Sequence, residues 1–367
     1  MKIFDIDHVE WYVADARRAA ERLRTGYGFR VYGHGGPRTG LSGQRSVLLG
    51  QRDIRILLTE ALEPWHPAAG FVERHGDGVA VIAFGVADAA AAGTPVAEWR
   101  DGREPDRAVR IADAPGFGDV VHRLVERRCP REDFWPGAIE MVPDGGGGGS
   151  DDDLLRLIDH AAVCVPAGAL AETAHFYDRY GFSVIFEEYI EVGGQGMFSK
   201  VVQSPSGAVT FTILEPDRSR RRGQVDDFLE WHGGAGVQHL AFLTHDIVRA
   251  VRTIAGHGVE FAQTPDTYYA ALGGRLGAPD IAVDDLRPLG VLVDRDHWGQ
   301  MYQIFAKSTH ERRTFFFELI DRHGARTFGT SNIPALYAAK ETELAEVRGG
   351  VPGDGLGEEG ASRGGRR

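Results

Sequence analysis

A short apolar strand with one histidine inside it is the pattern around which the rest of the chain can be arranged. Residues 234–242 read GAGVQHLAF, two glycines and an apolar run that contains His239. The glycines predict a turn, and the apolar run predicts a β-strand. A buried imidazole needs partners for its ring nitrogens, because an unpaired polar group is costly to bury. For a lone histidine, a core residue bonded to a backbone carbonyl is the simpler interpretation.

The order strand, helix, strand occurs at the start of the chain and again in its second half. Residues 6–31 begin with IDHVEWYV, continue through an Ala- and Arg-rich helical pattern and end with YGFRV. Residues 158–184 begin with IDHAAVCV, continue through a helical pattern and end with YGFSV. GDGVAVIAF at 76–84 likewise matches 234–242 position by position. Repetition on this scale indicates two copies of one module.

Further apolar and amphipathic runs in the second copy predict more strands and helices. Strands are expected at 197–203, 208–214, 237–243, 302–305 and 314–320, and helices at 226–232 and 247–257. Strands and helices in this order favour the α+β class. We expect two domains, each built from paired βαβββ modules that form a curved, barrel-like mixed sheet around a pocket.

Composition divides the chain into two domains, a linker and a tail. The domains are expected at 1–143 and 154–347, since 367 residues suit two domains of ordinary size. Between them, 144–153 is a run of glycines and aspartates, which is typical of a flexible linker. The second domain is expected to end with a helix at 334–347. The Gly-rich residues 348–367 carry few apolar side chains and are expected to be disordered.

Charge and cysteine content argue against several kinds of partner. A net charge of -12 disfavours nucleic acid and anionic membrane surfaces. No apolar run reaches the ~20 residues that span a bilayer, and the N-terminus has no signal-peptide pattern. The two cysteines form no CxxC motif, so we expect a cytoplasmic protein in a reducing compartment. The sequence does not distinguish a monomer from a homodimer.

The two copies differ at a position where chemistry would differ. His160 and its counterpart His8 are both present, but His239 corresponds to Val81 in the first copy. We therefore expect the second domain to be catalytic and the first to be structural and metal-free. His8, without a second histidine, is expected to be a bonded core or edge residue.

Glu318 is the candidate third ligand, because it lies inside the aromatic and apolar run 314–320. A buried carboxylate calls for a cation or a raised pKa, and an arginine partner or a solvated strand end are the alternatives. Two imidazoles and one carboxylate on one face of a metal are typical of non-haem Fe(II) oxygenases, and zinc fits in principle. Most other histidines, such as His232 and His310, lie in polar segments and are expected at the surface or in loops.

Six short motifs are distributed over the second half of the chain: IDH at 158–160, GVQH at 236–239, TPDTYY at 264–269, VDRD at 293–296, YQIF at 302–305 and FFFE at 315–318. Together they resemble the 4-hydroxyphenylpyruvate dioxygenase family, which has the vicinal oxygen chelate fold. The resemblance covers nearly all of 158–340 and is weaker over 1–143. It implies an enzyme that binds Fe(II) through His160, His239 and Glu318. It also implies that 4-hydroxyphenylpyruvate and O₂ are the substrates.

The resemblance implies, in addition, which side chains line the substrate pocket. They are Ser199, Gln224, Gln238, Gln303 and Phe305, with a closing helix from Asn332. Ser199 and Gln224 lie near expected loops, so plain surface polar residues are the alternative for both. Gln303 alternates with Met301 and Phe305, and an inward-facing amide is therefore expected.

Three departures from the homogentisate-forming members of the family resemble a branch that forms 4-hydroxymandelate. Those members usually read Pro-x-Asn-Glu-Pro in a pocket strand, whereas this chain has Thr212 and Leu214 in TILEP. Ile333 stands where they usually carry Phe. The branch implies benzylic hydroxylation to 4-hydroxymandelate with loss of CO₂, and supply of 4-hydroxyphenylglycine to a peptide antibiotic. The alternatives are a homogentisate-forming dioxygenase and a non-catalytic small-molecule-binding protein of the same fold.

Overall fold

A computed structural model describes residues 1–93, 95–100, 108–128, 139–142, 153–329 and 331–335. Most of the expected linker 144–153, most of the expected helix 334–347 and the whole tail 348–367 lie outside the described residues. The described part contains two mixed sheets, each curled into a half-barrel, with helices packed on them, which confirms the expected α+β class. No described helix is long and apolar enough to cross a bilayer.

The first half of the chain forms one mixed sheet. Its strands are β1 (Ile3–Tyr12), β2 (Arg30–Gly35), β3 (Gln44–Gln51), β4 (Ile54–Ala61), β5 (Gly78–Val86), β6 (Val96–Arg100), β7 (Ala108–Pro115), β8 (Val121–Arg127) and β9 (Ile139–Met141). Its helices are α1 (Ala16–Tyr27) and α2 (Pro67–His75), with 3-10 turns at Pro37–Thr39 and Ala89–Ala92. The strand order is β6-β7-β8-β5-β1-β4-β3-β2-β9. The central strands β1 and β5 are antiparallel to each other. Strand β4 runs parallel to β1 on one side of this pair, and β8 runs parallel to β5 on the other.

The second half repeats this arrangement. Its strands are β10 (Ile158–Cys164), β11 (Ser183–Val192), β12 (Gln195–Gln203), β13 (Thr210–Pro216), β14 (Gly236–Thr244), β15 (Leu292–Arg295), β16 (Gln300–Phe305) and β17 (Phe316–His323). Its helices are α3 (Leu170–Phe176), α4 (Gln224–His232), α5 (Ile247–Gly256), α6 (Asp266–Leu276) and α7 (Val283–Leu286), with 3-10 turns at Tyr177–Tyr180 and Arg287–Leu289. The strand order is β11-β12-β13-β10-β14-β17-β16-β15. Strands β10 and β14 lie at the centre and are antiparallel to each other, with β13 parallel to β10 and β17 parallel to β14. The duplication expected from the sequence is therefore confirmed.

The repeated Tyr-Gly-Phe motif ends a helical segment in each half. The Asp15 side chain begins α1 by accepting hydrogen bonds from the backbone N–H groups of Arg17 and Arg18. Gly28 ends that helix with a φ of 77°, and Gly181 ends the 3-10 turn after α3 with a φ of 80°. Residues with a Cβ disfavour this left-handed conformation, so the glycine turns the chain from the helix towards the next strand.

Aromatic side chains of the first half support strand β17 from behind. Trp11 stacks on Phe317 with ring centres 5.5 Å apart and meets Phe315 edge-on at 4.7 Å. Tyr27 also contacts Phe317, at 4.9 Å. One continuous hydrophobic cluster contains residues of both halves. Because aromatic rings bury large apolar areas, this packing fixes the position of β17, which carries Glu318 on its other face.

Candidate metal centre and substrate pocket

Three neighbouring strands bring His160, His239 and Glu318 onto one face of the second sheet. His160 on β10 and Glu318 on β17 both pair with Ala241 of β14, the strand between them. His239 lies two positions before Ala241, and residues two apart in a strand share a face. The Oε2 atom of Glu318 is 3.4 Å from His160 Nε2 and 3.3 Å from His239 Nε2. All three side chains are buried.

A β-bulge precedes each of these histidines and places a hydrogen-bond acceptor beside its ring. Asp159 is the extra residue of one bulge on β10, and Gln238 is the extra residue of another on β14. Asp159 Oδ1 accepts from His160 Nδ1 at 2.8 Å, and Gln238 Oε1 accepts from His239 Nδ1 at 3.2 Å. With the proton held on Nδ1, each Nε2 lone pair would be free to bind a metal ion beside Glu318. Bulges next to active sites re-aim side chains in this way.

The charges in this cluster suit a cation. Burial raises the pKa of the Glu318 carboxyl, but hydrogen bonds and charge from His160 and His239 outweigh it and hold that pKa at about 2. Burial lowers the pKa of His160, yet the carboxylates of Asp159 and Glu318 outweigh it and raise that pKa to about 9. For His239 burial prevails and its pKa is lowered. A bound dication would replace the proton that stabilises the ionised Glu318.

The donor set fits a divalent transition metal. One ligand atom from each of the three residues lies within 4.8 Å of the others, and such ions bind nitrogen and oxygen at about 2.0–2.2 Å. Two imidazoles and one carboxylate suit iron, and they also suit zinc. Across the described ranges, no other group of three His, Cys, Asp or Glu side chains meets this condition.

The three side chains open into a cavity of about 450 Å³. Every side chain expected in the substrate pocket lines it: Ser199, Thr212, Leu214, Gln224, Gln238, Gln303, Phe305 and Ile333. The surface alternative for Ser199 is wrong, because this side chain is buried. Gln224 is exposed and lines the cavity as well.

The cavity has an aromatic and apolar wall that the sequence analysis did not identify. Its members include Phe186, Ile190, Met197, Val201, Phe316 and Phe328. A usable signal was present, because residues 197, 199 and 201 alternate along β12 on the face that carries Ser199. Two buried polar atoms of the lining, Thr212 Oγ1 and Gln303 Oε1, lack a hydrogen-bond partner within the described residues. Buried polar groups are nearly always paired, so both atoms are candidates for contact with a ligand.

Known proteins share this architecture and much of the sequence. Residues 157–301 match the family model of the Glyoxalase/Bleomycin resistance protein/Dioxygenase superfamily. 4-Hydroxyphenylpyruvate dioxygenase from Aspergillus fumigatus is 30% identical over 377 residues, covering 94% of this chain and 93% of that protein. This chain belongs to the 4-hydroxyphenylpyruvate dioxygenase family.

Two solved structures of the family are also similar. A triple mutant of 4-hydroxymandelate synthase from Streptomyces coelicolor is 40% identical, with a TM-score of 0.82. The match covers 94% of this chain and 100% of that one. A fusion protein of a xylose isomerase-like TIM barrel and 4-hydroxyphenylpyruvate dioxygenase is 25% identical, with a TM-score of 0.69. That match covers 94% of this chain and 53% of the fusion protein.

In this member of the dioxygenase family, the first half keeps the framework of the metal site but only one of the three ligand side chains, His8. His8 is buried and its Nδ1 donates to Asp7 at 2.7 Å, so the expectation of a bonded core residue is confirmed. Val81 and Arg123 occupy the register positions that His239 and Glu318 hold in the second half. The Arg123 guanidinium instead donates to the Glu10 carboxylate at 3.0 Å.

The expected surface position of His232 is wrong. His232 is buried, and its ring stacks on that of His75 with centres 4.3 Å apart. His75 Nδ1 also donates to the His232 carbonyl oxygen at 2.7 Å, so the pair joins α2 of the first half to α4 of the second. His232 lies in a polar segment of the sequence, and its burial depends on the packing of these two helices, which the sequence does not show.

Proposed function

We propose that this protein is an Fe(II)-dependent oxygenase that converts 4-hydroxyphenylpyruvate and O₂ into 4-hydroxymandelate and CO₂. One observation carries the proposal: His160, His239 and Glu318 meet in the wall of a largely apolar cavity. A site of this kind has room for a small aromatic substrate next to a metal. The similarity to 4-hydroxymandelate synthase over nearly the whole chain supports the choice of reaction.

The side chains of this chain would divide the work between metal and substrate. His160, His239 and Glu318 would hold one face of the ion and leave the opposite face for ligands. A bound Fe(II) supplies the centre at which the 2-oxo acid and O₂ react, and decarboxylation of the substrate supplies two electrons. The aromatic rings of Phe305 and Phe316 line the cavity beside the site and would help to exclude water from it.

Polar atoms of the lining would orient the substrate. The Oε1 atom of Gln303 can accept a hydrogen bond from the phenol hydroxyl group, since it has no partner within the described residues. The hydroxyl group of Thr212 can both donate and accept, and it is unpaired in the same sense. Binding a 4-hydroxyphenyl group would satisfy polar atoms that otherwise remain buried without a partner.

The choice of product is proposed to depend on the shape of the cavity near Leu214 and Ile333, both of which line it. A shift of about 1 Å in substrate position can change a rate by about 100-fold, so side-chain shape can select the carbon atom that is oxidised. We also propose, from the family resemblance, that the product supplies 4-hydroxyphenylglycine for a peptide antibiotic.

A homogentisate-forming dioxygenase is the second candidate. It is favoured by the name of the similar protein from Aspergillus fumigatus and of a second similar protein from Coccidioides posadasii, which is 29% identical. Both reactions consume one O₂ and release one CO₂, so gas measurements do not separate them. The aromatic product does.

The test is a single-product analysis. Metal-free protein is loaded with Fe(II) without oxygen, mixed with 4-hydroxyphenylpyruvate and then exposed to O₂. We expect 4-hydroxymandelate by chromatography and mass spectrometry, with one CO₂ released for each O₂ consumed. Homogentisate as the product would favour the second candidate. Tight substrate binding without CO₂ release would indicate the non-catalytic binding protein instead.

A further inference from the structure

Arg322 holds the carboxylate that orients His160. Its Nε donates to Asp159 Oδ2 at 2.7 Å and its Nη2 donates to Asp159 Oδ1 at 2.8 Å, a two-point contact. Asp159 Oδ1 in turn accepts from His160 Nδ1 at 2.8 Å. Two parallel charge-assisted hydrogen bonds fix the plane of a carboxylate, because the guanidinium group is rigid. The direction of the His160 ring therefore depends on Arg322.

The same guanidinium group also anchors residues 325–328, a segment whose Phe328 lines the pocket. Nη1 of Arg322 donates to the Thr327 carbonyl oxygen at 2.7 Å and to the Ala325 carbonyl oxygen at 3.2 Å. The guanidinium carbon lies 5.1 Å from the centre of the Phe328 ring. Phe328 lines the cavity and meets the His160 ring edge-on, with centres 5.1 Å apart.

Gln238, the partner of His239, has no comparable support. The carboxamide of Gln238 is neutral, and no arginine is bonded to it among the described residues. Of the two histidines, only His160 has both a charged hydrogen-bond acceptor, Asp159, and a direct ring contact with Phe328 of the segment 325–328. Displacement of that segment would release both the Phe328 ring and the group that fixes the Asp159 carboxylate.

We propose that Arg322 is a positioning residue that couples the orientation of His160 at the metal centre to closure of the pocket by residues 325–328. The inference rests on the proposed function, because it needs a metal on His160. Metal binding by itself does not require that a change at the metal site also opens the pocket, whereas coupling through Arg322 does. Loss of Arg322 must disturb both the metal site and the enclosure of the substrate.

The first half of the chain offers a matched control. Arg127 Nε donates to Asp7 Oδ2 at 2.6 Å and Arg127 Nη2 donates to Asp7 Oδ1 at 2.9 Å, while Asp7 Oδ1 accepts from His8 Nδ1. This is the same Arg–Asp–His chain, in a half that lacks the other two ligands. Arg127→Gln therefore breaks an equivalent ion pair without touching the candidate metal site.

The experiment compares the full-length wild type, Arg322→Gln and Arg127→Gln. Each metal-free protein is titrated with Co(II), and the visible absorption spectrum reports both affinity and coordination geometry. The Fe(II)-loaded proteins are then assayed for O₂ consumed per product formed. Thermal unfolding of each protein measures the general cost of losing the ion pair.

We expect Arg322→Gln to weaken Co(II) binding about 10–100-fold, as loss of such supporting groups does at other metal sites, and to alter the spectrum. It should also consume more O₂ than it forms product. Arg127→Gln should lower the melting temperature by a similar amount. Its Co(II) affinity, its visible absorption spectrum and its ratio of O₂ consumed to product formed should stay at wild-type values. Equal Co(II) affinity and equal coupling in Arg322→Gln and wild type would overturn the inference.

Arg322→Lys tests the same point if Arg322→Gln does not fold. Lysine keeps the positive charge but cannot donate to Asp159 and two carbonyl oxygens in the fixed fork geometry. Weakened, spectrally altered Co(II) binding in Arg322→Lys would support positioning, and wild-type behaviour would overturn it. A wild-type protein that binds neither Co(II) nor Fe(II) would overturn the proposed function and this inference together.

Discussion

At the scale of single residues, the Glu318 carboxylate is the point where the candidate site converges, since both imidazole Nε2 atoms lie within 3.4 Å of its Oε2. Removing any one ligand leaves only two protein donors for the metal. His160→Ala, His239→Ala and Glu318→Ala should each reduce turnover at least about 1,000-fold, equal to about 4 kcal/mol of barrier. Each variant should also bind Fe(II) more weakly in an anaerobic titration.

His8→Ala is the control for this prediction. It removes a buried, bonded histidine from the half that has Val81 and Arg123 in place of the other ligands. Leaving Asp7 without this partner should cost about 1–3 kcal/mol of stability, measured by urea unfolding. Turnover of the folded variant should stay at the wild-type level. Inactive but correctly folded His8→Ala would contradict a purely structural role for the first half.

Ile333 is the residue at which product choice can be tested. Ile333→Phe adds volume to the cavity lining, and overpacking a formed site costs about 1–3 kcal/mol. A difference of about 1.4 kcal/mol between two transition states changes their ratio tenfold. We expect a measurable fraction of homogentisate or another ring-oxidised product, with slower turnover.

Leu214→Asn should increase that fraction when it is combined with Ile333→Phe. Thr212→Pro is less suitable, because Thr212 lies in a strand paired on both sides, where proline removes a main-chain donor. The measurement is the ratio of hydroxymandelate to homogentisate at equal O₂. If the double variant and the wild type give hydroxymandelate alone at similar rates, these positions do not set the product.

At the scale of elements, the central strands of the two halves share one register, and bulges occur at equivalent places. Asp7 and Ala80 are the extra residues in the first half, where Asp159 and Gln238 are in the second. The main chain of the first half is therefore already arranged to present ligands at positions 8, 81 and 123. What differs is the chemistry of the side chains on this shared framework.

The combined variant Glu10→Ala, Val81→His and Arg123→Glu should create a second metal site. It replaces the partly buried Arg123–Glu10 ion pair with the donor set of the second half and keeps His8 with its Asp7 partner. We expect Co(II) to bind at two ions per chain rather than one, measured by titration with metal analysis. Val81→His alone should still bind one. A folded triple variant that binds one ion would show that matching register is insufficient.

At the scale of the whole molecule, buried histidines join the two halves. Burial lowers the pKa of His122 to about 3, and burial together with the charge of His75 lowers that of His232 to about 4. His122 Nε2 bonds the Tyr177 hydroxyl group of the second half at 2.9 Å. Because an exposed histidine titrates near 6.5, the unfolded chain takes up protons first as the pH falls.

The metal-free protein should therefore lose stability as the pH falls from about 6.5 to about 4. His232→Gln should make this loss smaller by about 1–3 kcal/mol, since one pKa unit corresponds to about 1.4 kcal/mol. The measurement is the free energy of urea unfolding at several pH values. His175→Gln, which changes an exposed side chain of α3, should follow the wild type. Equal slopes in His232→Gln and wild type would contradict the prediction.

The sequence by itself determined the duplicated module and predicted the three candidate ligands, whereas the eight expected pocket positions came from the family resemblance. The module and the ligands could be predicted because they depend on local features: repeated apolar patterns, and polar residues inside apolar strands. The difference between His239 and Val81 was enough to distinguish the two halves, and six short motifs spread over 158–318 carried the family resemblance. Each of these residues can be recognised from its own short stretch of sequence, although His160, His239 and Glu318 lie far apart along the chain.

Only the tertiary structure decided how these residues are held. The bulges at Asp159 and Gln238 arise from cross-strand register, which depends on a partner strand far away in the chain. Arg322 reaches Asp159 across 163 positions, and His232 is buried by a helix of the other half. The local sequence of a strand or helix does not specify which distant element will pack against it. Orientation, enclosure and burial therefore belong to the assembled fold, whereas the chemistry of the donors belongs to the sequence.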